Sequence, residues 1–135
     1  MNMQPDLQVL QMLGGSSGMR ADALIRSGIP LAALDNLNAH GVNAVGVGII
    51  NARTLRHRKA KGEALSQEEG DHLYRVSKIV VLAEAVFGNK DKAFRWLGKP
   101  HAMFDGLSAL EAVATTPGYA GVEEALLRIS HGFAA

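Results

Sequence analysis

A chain of 135 residues suits one domain, or two very small ones sharing a core, and 47% hydrophobic with 20% charged residues excludes a disordered polypeptide. A net charge of +1 excludes a polycation, so any affinity for nucleic acid has to come from local clustering. The absence of cysteine excludes disulfides, thiol catalysis and Cys-ligated zinc, and is typical of a cytoplasmic protein. No signal peptide is expected, and no apolar run approaches the roughly 20 residues that span a bilayer.

Residues 1–13 are amphipathic at best, with Leu7, Leu10 and Leu13 three apart, and Gly14-Gly-Ser-Ser-Gly18 reads as a flexible linker. The first segment is therefore expected to be disordered or an accessory helix. Residues 20–27 read as a helix stopped by Gly28. Pro30 stands where the next helix can begin, and Leu31, Leu34 and Leu37 follow on one face until His40-Gly41. For residues 43–50 the β-branched Val45, Val47, Ile49 and Ile50 suit a strand, but a lone strand has no evident partner, so a short helix is expected despite Gly46 and Gly48.

Residues 51–61 hold Arg53, Arg56, Arg58, Lys59 and Lys61 and no acid, a local charge of +5, in a segment expected to be helical and ended by Gly62. Ser66-Gln-Glu-Glu69 is a capping-box pattern, and it opens the longest helical pattern in the chain. Leu73, Val76, Val80, Ala83 and Phe87 form one stripe, and Ile79, Leu82 and Val86 a second. This helix is expected to pack on two sides as the spine of the fold. Gly88 breaks it. Asn89 caps a helix carrying Ala93, Phe94, Trp96 and Leu97, most simply as core residues. Ser108-Ala-Leu-Glu111 is a second capping box for a short helix through Ala114. Thr116-Pro117 starts the last helix, which carries Val122, Ala125, Leu126 and Ile129 and ends at Gly132. The expected architecture is all-α.

A catalytic site has little support, so the chain is not expected to be an enzyme. His40, His57, His72, His101 and His131 are scattered, and no His-Glu-x-x-His helix or phosphate-binding glycine loop occurs. The basic helix is more informative. Asn51 and Thr54 are interleaved with arginines near its N-terminus, where recognition helices touch base edges, and arginine can fork to guanine or phosphate. The candidate DNA-binding residues are Asn51, Arg53, Thr54, Arg56, His57, Arg58, Lys59 and Lys61. The surplus apolar surface of residues 66–87 and of the Leu31, Leu34, Leu37 stripe predicts a two-fold homodimer, which also matches a palindromic operator.

Arg53-Thr-Leu-Arg-His-Arg58-Lys59, Leu65-Ser66, Ala85-Val-Phe-Gly88, Ala93-Phe-Arg-Trp-Leu97, Pro100 and Leu126-Leu-Arg-Ile-Ser-His-Gly132 follow one another in the order seen in the MbcA/ParS/Xre antitoxins, which pair with RES-domain toxins. From residue 51 to residue 135 the chain resembles that family. The resemblance implies an N-terminal Xre-like helix-turn-helix half, a long spine helix and a small helical toxin-binding half. On this division residues 1–18 are an N-terminal segment and linker, 19–62 the helix-turn-helix region, and 63–135 the toxin-binding domain. It further implies a type II antitoxin that represses its own operon by binding operator DNA. Its C-terminus would block a toxin that consumes NAD or transfers ADP-ribose, with Arg128, His131, Gly132, Phe133, Ala134 and Ala135 as the plug. The antitoxin needs no cofactor of its own, since NAD belongs to the partner, and it makes no membrane contact. The competing expectation is a helix-turn-helix regulator without a toxin partner.

Overall fold

The architecture was obtained as a computed structural model, which describes residues 4–132. Among them every regular element is helical, so the chain is all-α as expected. The chain divides into two compact units, Met1–Ser77 and Lys78–Ala135, and the boundary falls within the long helix Gln67–Phe87.

The first unit opens with α1 (Gln4–Met12). Its buried face is Val9 and Met12, followed by Leu13 just past its end; of the Leu7, Leu10 and Leu13 stripe only Leu13 is buried, and Leu7 and Leu10 remain half-exposed. The amide of Asn36 donates to the Gln11 and Met12 carbonyls at 3.3 and 3.1 Å and satisfies groups that the end of a helix leaves open. An accessory helix is therefore the correct reading of residues 4–12, and it is tied to the core. Helix α2 (Ala21–Ser27) follows, and α3 (Ala33–Asn38) starts three residues later than Pro30, after a turn in which Pro30 and Leu31 accept from Ala33 and Leu34. Leu34 and Leu37 are buried.

Residues 43–50 form no helix, contrary to expectation, but a single hydrogen-bonded turn. The Asn43 side chain accepts from Gly46 N–H at 2.9 Å, and Val47 N–H reaches the Asn43 carbonyl at 3.1 Å. Gly48, at φ 85°, then reverses the chain, with Ile49 N–H bonded back to Ala44 and Gly48 N–H to Val45. That paired closure ends a helix after one turn, because it consumes the carbonyls a further turn would need. Val42, Ile49 and Ile50 use their bulk in the core instead of in a strand.

Helix α4 (Ala52–Lys61) contains no buried residue. Gly62 at φ 68° closes it, with Glu63 N–H returning to Arg58. Helix α5 (Gln67–Phe87) begins at the expected capping box: Ser66 Oγ accepts from Glu69 N–H at 3.1 Å, and Glu69 Oε1 accepts from Ser66 N–H at 2.8 Å. Leu73, Val76, Ile79, Val80 and Ala83 are buried. Phe87, Leu82 and Val86 are only half-buried.

In the second unit, Asn89 caps α6 (Lys90–Gly98) by accepting from Lys92 N–H at 2.9 Å. Ala93 and Leu97, four apart, are its buried face. Phe94 lies about 100° away on the helix wheel and is 46% exposed, so its assignment to the core is corrected. A short 3₁₀ turn, 102–104, was not foreseen. Helix α7 (Ala109–Ala112) has its full Ser108–Glu111 capping box and ends two residues before Ala114. The last helix, α8 (Thr116–Ser130), is capped by Thr115, one residue earlier than read from Thr116-Pro117, with Pro117 in its first turn. Val122 and Leu126 anchor it.

Candidate functional site

Two surfaces are built by these units. The first is the outer face of α4. Asn51 stands at its N-cap, where Oδ1 accepts from Thr54 N–H at 2.7 Å. The residue placed among base-contacting candidates thus fixes where the helix starts. Arg53, Arg56 and His57 are exposed and three or four apart, which puts them on one face of the helix. Lys61 is exposed at the last turn, and Lys59 lies on a flank, where it lines a shallow pocket of about 200 Å³ with Leu55, Asn38 and Asn43. Thr54, Leu55 and Arg58 face inward and are half-buried.

Arg58 is engaged within the chain. Its guanidinium pairs with Glu69 Oε1, the same oxygen that caps α5, and donates to the Ala64 carbonyl at 3.1 Å. Both side chains are mostly covered, at 19% and 16% exposure, so this pair is far less solvent-screened than a surface ion pair. It joins the end of α4 to the start of α5. Leu65 N–H donates to the Ile29 carbonyl at 2.9 Å, which ties the same turn to the α2–α3 connection. The exposed cationic face is therefore carried on a braced helix.

The second surface is an open groove of about 580 Å³ in the second unit. Trp96, Met103 and Phe104 form one wall, and Gly121, Ala125 and Ile129 of α8 the other. Trp96 is held by ring contacts with Phe87, His101 and Phe104 at centroid distances of 5.8, 4.8 and 6.0 Å. His101 Nε2–H donates to the Trp96 carbonyl at 2.8 Å, the only polarity a carbonyl allows. Met103 is 62% exposed. The sequence places Val122, Ala125, Leu126 and Ile129 together as the apolar residues of the last helix. The structure buries Val122 and Leu126 and leaves Ala125 and Ile129 along the groove. Their four-residue spacing with Gly121 was the available signal; nothing local marked Met103.

Of the C-terminal residues, Arg128 is exposed and pairs with Glu124 at 2.6 Å. His131 is the C-cap of α8, its N–H bonded to the Leu127 and Arg128 carbonyls. Gly132 adopts φ 80°, the left-handed turn expected of it. Phe133, Ala134 and Ala135 lie outside the described residues. Among the described residues no cluster of His, Cys, Asp or Glu could hold a metal ion, and no helix is long and apolar enough to cross a membrane.

The groove-bearing part of the chain defines a class. Residues 82–132 match the family described as the antitoxin Xre/MbcA/ParS C-terminal toxin-binding domain. The chain is also 44% identical over 85 residues, 63% of its length, to Antitoxin Xre of Pseudomonas putida strain KT2440. That alignment spans 54% of the relative, so the chain covers about half of the curated protein it resembles. Both findings liken part of this chain to the Xre/MbcA/ParS antitoxins, the family match lying on the toxin-binding domain.

Proposed function

We propose that this chain is the antitoxin of a type II RES–Xre pair. It neutralises a RES toxin that consumes NAD or transfers ADP-ribose by occluding the toxin's active site with the segment that follows α8. It also represses its own operon by binding operator DNA as a homodimer in the cytoplasm. The observation that carries the toxin half of this reading is the toxin-binding-domain match over residues 82–132. The exposed Arg53, Arg56 and His57 on a helix braced at its far end support the DNA half.

An NAD site has to accept an anionic dinucleotide and therefore carries basic and polar groups. The C-terminal end of α8 offers unpaired carbonyls and partial negative charge to such groups. Gly132 turns out of the helix with φ 80°, and in this scheme the Phe133 ring takes the volume a nucleotide ring needs in the toxin. Arg128 and His131 stand at the rim of that approach. The protein supplies no chemistry and no cofactor in this scheme; it supplies shape and charge.

Deleting residues 131–135 is expected to leave helicity and promoter binding unchanged while inhibition of toxin-driven NAD consumption fails. Full inhibition by the truncated protein in the same assay would remove the plug from the scheme.

A further inference from the structure

We infer that the groove between α8 and the Trp96–Phe104 wall is the seat of an amphipathic helix of the toxin, a docking contact separate from the occluding segment. This rests on the antitoxin reading above. All eight groove residues lie inside the stretch that matches the toxin-binding domain, so the partner that domain serves is the one the groove should take.

The groove has the make-up of a specific interface. Its centre is apolar (Trp96, Phe104, Met103, Ala125, Ile129), and its rim carries one acid and one base, Glu124 and Arg128. Those two charges are 63% and 67% exposed and pair with each other, so they remain hydrated while the centre is covered. Along α8, Gly121 to Ile129 are eight helical steps apart, about 12 Å at the helical rise, enough for two turns of a bound helix. A Cβ at Gly121 would meet no atom within 4 Å, so backbone can approach closely there. Trp96 is the kind of rigid aromatic that dominates such contacts, and its contacts with Phe87, His101 and Phe104 set its orientation before binding. A strand-type partner has no support, because among the described residues there is no sheet edge to extend.

The test uses the full chain and a purified RES-domain toxin, with affinity measured by calorimetry. Gly121→Leu fills the groove from a position where added volume meets nothing, and Met103→Glu places a charge on a wall residue that is already exposed. Ala120→Leu puts the same side chain on α8 at an exposed site outside the groove and serves as the control. Expected is a loss of at least tenfold in affinity for both groove variants, none for the control, and retained docking by the protein lacking residues 131–135. If the wild type binds toxin and both groove variants bind equally well, the groove assignment is overturned while the antitoxin reading stands. If the wild type binds no toxin at all, the antitoxin reading falls and the groove assignment with it. If the wild type sediments as a dimer that Gly121→Leu dissociates, the occupant is a second copy of this chain and the assignment is likewise overturned.

Discussion

Gly118 shows how one missing side chain sets the approach of two helices. A Cβ there would lie 1.8 Å from the Ala112 carbonyl oxygen, so α8 can start against the end of α7 only because this position is bare. Gly118→Ala should destabilise the protein by about 1–3 kcal/mol, the usual cost of forced overpacking. Gly121→Ala, with open space around it, should gain up to about 1 kcal/mol from helix propensity. Urea titration of the two variants separates a packing constraint from a backbone preference. His72 is the other informative residue. Its Nε2 is buried without a hydrogen-bond partner, and the imidazole is held below the ordinary histidine range, first by burial and then by the Arg75 guanidinium, with the Asp71 carboxylate opposing. The unfolded chain takes up a proton near pH 6.5 that the folded chain resists, so the contribution is present above that pH and lost as pH falls below it. Melting temperature should therefore drop on going from about pH 7 to about pH 5.5. The slope should be shallower in His72→Gln; an unchanged slope would assign the loss to other groups.

The informative element is the α4–α5 corner. One carboxylate oxygen of Glu69 serves two helices, capping α5 through Ser66 N–H and holding Arg58 of α4. Glu69→Gln keeps an acceptor for the cap but removes the charge that holds Arg58, and should lose about 1.5–3 kcal/mol, the range for a hydrogen bond to a charged group. Glu69→Ala should lose about 1 kcal/mol more, because the reciprocal capping-box bond from Ser66 N–H goes as well while the Ser66 Oγ cap remains. Chemical denaturation of both variants checks the order. Equal loss in the two would mean that the capping bond carries nothing. The same corner explains why the basic segment could not be read residue by residue. Arg53, Arg56 and Arg58 look alike in the sequence, yet the first two are exposed and the third is spent inside the chain.

At the scale of the whole molecule, the two proposed activities belong to different surfaces and should fail separately. If the α4 face binds operator DNA as proposed, its phosphate contacts release counterions and promoter affinity should fall steeply with salt. Changing Arg53 and Arg56 together to Ala should weaken binding and flatten that salt slope, by about one unit for each phosphate left without its arginine. Toxin affinity should be unchanged. Gel shifts across a salt series provide the check, with circular dichroism to verify the fold. A double variant that binds its promoter with wild-type affinity and slope would move DNA recognition off this helix.

Much of the architecture was legible because its signals are local. The two Ser–Glu capping boxes, the Asn89 cap, the Gly62, Gly88 and Gly132 stops and the Leu73–Ala83 stripe depend on bonds or periodicity within a few residues, and each is where the sequence places it. The segment 43–50 was misread as a helix because propensity cannot register Gly48 closing the turn after one round. What only tertiary structure decided is which residues of a face meet another element. Packing chose Val9 and Met12 over Leu7 and Leu10, exposed Phe94 while burying Leu97, and turned Ala125 and Ile129 to a groove whose far wall lies some twenty residues away in the chain. Periodicity specifies a direction around a helix axis; only the neighbouring helices determine how wide the covered sector is, and they come from distant sequence.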